Sequence, residues 1–209
     1  DFIIRQTIGQ ISMGGCLACL RDPSSLASQV ELNEKETRPH IGIPDDFRGP
    51  NVKVDTGESL CITGDGVALA SAPIEQDAAY WEIHVTKTGL IKVGVARKMN
   101  RGELDKTFDA SAKDENGRSW CLDGTDTRAN LEDGDVVGVA FTQADLPNLS
   151  FTKNGKAINF ADVKKIPGTV YPVVMIGGGA SIEAVFDPEK MNNQPPPTFK
   201  PLMVVRSIL

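Results

Sequence analysis

At 209 residues the chain is long enough for one domain with tails, or at most two small domains. Its 22 Lys and Arg against 28 Asp and Glu leave a formal charge of −6, with the basic residues scattered, so no nucleic-acid partner is expected: counterion release requires clustered cations. With 40% hydrophobic and 24% charged residues the composition is that of a soluble globule, and neither a signal-peptide run nor a stretch of transmembrane length occurs.

Residues 1–38 show no sustained hydrophobic period and end in the polar run "ELNEKETRP", which reads as a tail. A short helix in "SSLASQVELNE" could be capped by Ser24 or Ser25. Within the tail lies "MGGCLACLRD". If Met13 is the true start, Gly14 becomes a substrate for N-myristoylation and Cys16 beside it for palmitoylation, and two acyl chains hold a protein on a membrane where one is marginal. Against this, Ala18 stands where the motif wants Ser or Thr, and residues ahead of Met13 would block the reaction. An unmodified tail is the alternative. Cys16 and Cys19 form a C-x-x-C, but no second pair follows at zinc spacing and only His40 and His84 are present. No metal or other cofactor is therefore expected. Cys61 and Cys121 sit in strand-like contexts and read as buried small hydrophobes, which fits a reducing, cytoplasmic setting.

From residue 39 to 209 the pattern is that of a folded domain. "NVKVDTGESLCITGDGVALASAPI" contains short strands cut by the turn clusters "TGES" and "GDG". In "YWEIHVTKTGLIKVGVAR", Trp81, Ile83 and Val85 share one face and Tyr80, Glu82 and His84 the other; Lys87 to Gly89 can then turn the chain into a second run, Leu90 to Ala96. A long polar loop, Met99 to Arg118, precedes the strand in "SWCLDG". "DVVGVAF" is apolar on both faces, as a strand covered on both sides would be, and "LSFTKNGKAINF" alternates up to Asn154-Gly155, whose positive φ suits a type I′ turn. "TVYPVVMI" and "SIEAVFD" read as a last pair around "GGG". Many short strands without a long amphipathic helix predict an all-β fold, an antiparallel β-sandwich.

The ordered set "YWEI", "IKVGVAR", "GRSWCLDG", "EDGDVVGVAF", "LSFTKNGK" and "TVYPVV" resembles the SPRY domains, over about Phe47 to Asp187. The resemblance implies a bent sandwich of two antiparallel sheets and a protein-interaction module without catalysis. It implies a peptide or protein docked across loops at one end of the sandwich, at positions matching Arg48, Gly49 and Pro50, and Gly177, Gly178 and Gly179. The long loop, with Asn116 and Arg118, is added as a third candidate segment. Peptide-binding relatives often carry a bulky residue where this chain has "GGG", so that loop offers backbone but no anchor side chain. A monomer is expected.

Other chemistries are weaker. "GGG" lacks the following helix that a phosphate cradle needs, and "GDG" lacks a third glycine at dinucleotide spacing; both read as turns. "DGTDTRANLEDGD" has Thr125 and Thr127 where a calcium loop needs acids. His84 can pair with Glu82 but has no evident nucleophile, so no catalytic residue is assigned. "QPPPTFKP" contains no P-x-x-P and reads as an extended segment along the sandwich, with Phe199, Leu202 and Val204 as apolar contacts. Trp81 and Trp120 are assigned to the core. A glycan-binding sandwich is the alternative from another class.

Overall fold

The computed structural model describes residues 41–57, 59–105 and 117–204. The tail 1–38 with Gly14 and Cys16, and Asn116 in the long loop, lie outside the described residues.

Among the described residues thirteen strands follow in order: β1 Val52–Asp55, β2 Leu60–Gly64, β3 Gly66–Leu69, β4 Ala78–Lys87, β5 Leu90–Ala96, β6 Ser119–Asp123, β7 Val136–Thr142, β8 Asn148–Lys153, β9 Lys156–Ala157, β10 Val163–Lys164, β11 Tyr171–Gly177, β12 Ser181–Val185 and β13 Lys200–Pro201. A short helix, α1, spans Arg101–Leu104. The larger sheet runs β1-β2-β12-β4-β7-β8-β10, with β9 added on β8 and β13 on β4. The smaller sheet runs β3-β11-β5-β6. Every pairing is antiparallel except β13 with β4, which is parallel. This is the antiparallel sandwich that the strand pattern predicts.

Alternation decides what faces the core. From the larger sheet Ile62, Trp81, Ile83, Val85, Val137, Val139, Phe141, Leu149, Phe151 and Ile182 point inward; the smaller sheet contributes Ile91, Val93, Val95, Leu122, Val174 and Ile176. Trp81 is fully buried, and Trp120 is half-buried against this core. β7 is buried along both faces through Phe141, as its uninterrupted apolar sequence requires. The outer face of the smaller sheet carries a second apolar cluster of Val67, Leu69, Ala96, Leu104 and Val173, with Phe47, Met99, Cys121, Tyr171 and Met175 packed on it. Cys61 and Cys121 are half-buried and sit on outward-facing positions of their strands instead of in the central core.

Three pairs of consecutive strands joined by short turns are not hairpins. β4 pairs with β12 and β7, whereas β5 pairs with β11 and β6, so Thr88-Gly89 carries the chain from one sheet to the other. The same holds for β11 and β12, and for β2 and β3. The register Ile176↔Gly66 and Gly177↔Leu90 places all three crossings at one end of the sandwich. Gly177–Ala180 is a tight turn closed by Ala180 N to Gly177 O at 3.1 Å, with φ of 61° at Gly178 and 76° at Gly179. Two successive positive φ angles define a type I′ geometry, which a β-carbon disfavours. The expected Asn154-Gly155 turn is also of this type, with φ of 50° and 77°, and joins β8 to β9.

Candidate interaction surface

A short 3-10 turn, Asp45–Phe47, leads into Arg48–Pro50, which lies along the free edge of β3. Arg48 bridges Ala68, and Gly49 N donates to Val67 O at 2.8 Å. Gly49 has to be glycine: a β-carbon there would sit 2.5 Å from the carbonyl oxygen of Leu104, at the end of α1. Pro50 is exposed and leads toward the Gly64–Gly66 corner, where Asp65 N donates to Asn51 O.

α1 is held by its own cap. The Asn100 side chain accepts from Glu103 N at 3.0 Å, and Asn100 N donates to the Glu103 carboxylate at 2.8 Å, a capping box. Glu103 also pairs with Arg118 at the start of β6, and Arg118 reaches Lys98 O at 3.4 Å. From the other side Arg101 donates to Asp45 O at 2.9 Å and to Arg48 O at 3.5 Å. Arg48 in turn pairs with Asp45. Buried Leu104 then presses the helix onto the second apolar cluster. Beside it, Phe47 and Tyr171 meet at 6.3 Å between ring centroids, and the Lys98 ammonium lies 5.5 Å over the Phe47 ring. The result is a half-buried aromatic and methionine patch rimmed by cations whose partners are already fixed.

The candidate segments thus separate. Arg48, Gly49 and Arg118 come together around α1, although Arg48 and Arg118 are 70 positions apart. Gly177, Gly178 and Gly179 do not join them. β5 runs from Leu90, opposite Gly177, to Ala96, opposite Ser119 and Tyr171, so that turn and Arg118 occupy opposite ends of the smaller sheet. At about 3.3 Å per residue this is roughly 20 Å. The glycine turn packs instead against Gly89 and Leu90, where added β-carbons would clash at 2.9–3.1 Å, and its role in the fold is that of a corner. Phe47 and Tyr171 went unselected in the sequence, and Arg101 and Glu103 fell within the candidate loop Met99 to Arg118 without being singled out. The spacing Asn100-x-x-Glu103 was the one local signal for α1.

A second polar constellation lies on the outer face of the larger sheet. Glu82 is fully buried, yet its carboxylate accepts five hydrogen bonds or pairs: from Tyr80 Oη at 3.0 Å, His84 Nε2 at 2.9 Å, Asn192 N at 2.7 Å, Asn193 N at 2.9 Å and Asn193 Nδ2 at 3.0 Å. Burial pushes its pKa up, but the hydrogen bonds from His84, Asn192 and Asn193 outweigh that and hold it at about 2. Burial, followed by the neighbouring Glu82 charge, raises the Tyr80 phenol well above its ordinary value. The register His84↔Glu183↔Cys61 separates the Cys61 backbone from that of His84 by two strand spacings, roughly 9–10 Å. The turns in 123–135 are closed by their own acids, as in Asp123 to Thr125 and Asp126 to Arg128. Among the described residues no cluster of three or more His, Cys, Asp or Glu could hold a metal ion. Tyr80 and Trp81, two of the few aromatics a sugar could stack on, are fully buried.

The sequence profile of the SPRY domain matches residues 78–189. SPRY domain-containing protein 7 of Homo sapiens is 29% identical over 201 residues, covering 92% of this chain and 96% of the relative. The protein of the same name from Gallus gallus is 28% identical over the same length and shares of the chains. Among solved structures, the Drosophila melanogaster neuralized NHR1 domain superposes with a TM-score of 0.51 over 71% of this chain and 99% of its own, at 12% identity, a likeness of fold alone. With a profile match over more than half of its length, laid on a two-sheet antiparallel sandwich, the chain belongs to the SPRY domain family of protein-interaction modules.

Proposed function

We propose that this protein is a non-enzymatic interaction module that binds a protein partner on the outer face of its smaller sheet, around Arg48, Gly49, α1 and Arg118. The observation that carries the reading is the half-buried patch of Phe47, Met99, Tyr171 and Met175 beside a helix pinned by Arg101, Glu103 and Arg118. Aromatic and methionine side chains supply contact area, and the pre-paired cations supply a rim whose geometry needs little reordering on binding. The glycine corner at Gly177–Gly179 lies at the opposite end of the smaller sheet and contributes less in this reading, while Pro50, next to Gly49, stays exposed at the edge of the surface. The domain acts in the cytoplasm as a monomer; acylation at Gly14 and Cys16 would add a membrane tether to the same module.

A photo-reactive amino acid in place of Tyr171 tests the surface in full-length protein. It should cross-link to the partner that wild-type protein retains from native cells. A Phe47→Ala, Arg118→Glu double variant with unaltered thermal unfolding should lose about tenfold or more in recovery of that partner. Undiminished recovery would remove this surface from consideration.

A further inference from the structure

The chain continues past the residues that match the family profile, and this continuation closes over the larger sheet. After β12 it passes through a 3-10 turn, Pro188–Lys190, capped by Asp187, and returns along β4 as β13. β12 pairs with β4 only from Lys87 to Glu82, so Ala79 and Tyr80 are left open on that side, and Lys200 and Pro201 fill the gap in parallel register. Leu202 N donates to Tyr80 O at 2.9 Å, and the Gln76 side chain holds Pro201 O at 3.1 Å and Met203 N at 2.7 Å.

The attachment is uneven. From Asp187 to Val204 one residue, Leu202, is buried, with 3% of its surface exposed. Thr198 sits at a φ of 78°, in the left-handed region that a β-branched residue rarely occupies. Against these weak holds stands one strong one. Of the five donors around the buried Glu82 carboxylate, the Asn192 amide, the Asn193 amide and the Asn193 side chain come from this segment, while Tyr80 and His84 belong to β4 itself. The neighbouring β7, by contrast, is paired on both edges and buried on both faces. A segment with few buried apolar contacts and one charged anchor opens at lower free energy than the strands beneath it.

We propose that residues 187–204 form a clasp that opens as a unit ahead of global unfolding, with Glu82 as its catch. Opening uncovers Tyr80, Glu82 and His84 on the outer face of the larger sheet and detaches β13 from β4, while the other strands of both sheets stay paired. The clasp is thus a built-in two-state element of the domain, distinct from the surface around α1.

Native-state hydrogen exchange of the full chain at several low denaturant concentrations tests this. The amides of Asn192, Asn193, Leu202 and Met203 should be less protected than those of Val137, Val139 and Phe141 by about a hundredfold or more, with little dependence on denaturant. Shared protection and a shared denaturant slope for the two sets would overturn the proposal. Glu82→Gln replaces an acceptor oxygen by a donor facing other donors and should lower clasp protection by a further tenfold or so. Unchanged clasp protection in that variant would overturn the assignment of Glu82. Should Glu82→Gln fail to fold, Asn193→Ala, which removes one clasp donor and leaves the carboxylate in place, carries the same readout with the same two outcomes.

Discussion

Gly94, in the middle of β5, leaves no room for a β-carbon. An alanine β-carbon there would lie 2.0 Å from Trp120 O, 2.8 Å from Cys121 Cα and 3.0 Å from Trp120 C. Relaxed contact between heavy atoms needs about 3.5–4.0 Å, so the β6 backbone would have to retreat by roughly 1 Å or more. No flexible side-chain tip can absorb that movement. β6 is the edge strand of the smaller sheet and is paired to β5 alone, over Ser119 to Asp123, so its displacement loosens Trp120 and Leu122 from the core. Overpacking typically costs 1–3 kcal/mol and occasionally more; for a backbone clash of this depth we expect about 2–4 kcal/mol. At roughly 2–4 °C per kcal/mol for a chain of this size, Gly94→Ala should lower Tm by about 4–16 °C in thermal unfolding followed by circular dichroism. Gly102→Ala is the matched control: inside α1 the nearest atom to its β-carbon is Asn100 Oδ1 at 3.5 Å, and the change should be neutral or stabilising by up to about 1 kcal/mol. A Gly94→Ala protein within about 0.5 kcal/mol of wild type, or equal effects of the two substitutions, would refute the packing described for β5 and β6.

Asn154 combines a positive φ with two side-chain bonds, to Val136 N at 2.8 Å and to Asp135 Oδ1 at 2.7 Å. Asn154→Gly keeps the backbone and loses the bonds, which should cost about 1–2 kcal/mol in urea unfolding, and Asn154→Ala should cost about 1 kcal/mol more; equal losses would show that the turn is not strained by a β-carbon. The Glu82 carboxyl, held at about 2 against an ordinary 4.5, has a folded-state pKa below its unfolded value. Its stabilisation is therefore complete above about pH 4.5 and is lost as pH falls toward about 2. The gap in urea midpoint between wild type and Glu82→Gln should narrow across that window, and a gap that stays constant or widens on acidification would contradict the proton linkage.

The local elements of this protein were legible in its residues because they depend on short-range effects. Asn154-Gly155 selects its turn through backbone preference, β7 announces two buried faces by an unbroken apolar run, and the alternation in β4 assigns Trp81, Ile83 and Val85 to the core. The resemblance of the ordered strand motifs to SPRY domains added the two-sheet arrangement. What only the tertiary structure decided was partnership. Thr88-Gly89 and Gly178-Gly179 have the composition of hairpin turns, but the strands they join bury more surface by pairing in different sheets, and no local preference encodes that choice. The same reason separates the glycine corner from Arg118, brings Arg48 and Arg118 to one short helix, and sets Asn192 and Asn193 on Glu82 across 110 residues of chain. Hydrophobic burial and the satisfaction of a buried carboxylate are properties of the whole folded chain, so residues far apart in sequence acquire their roles only when the two sheets close on each other.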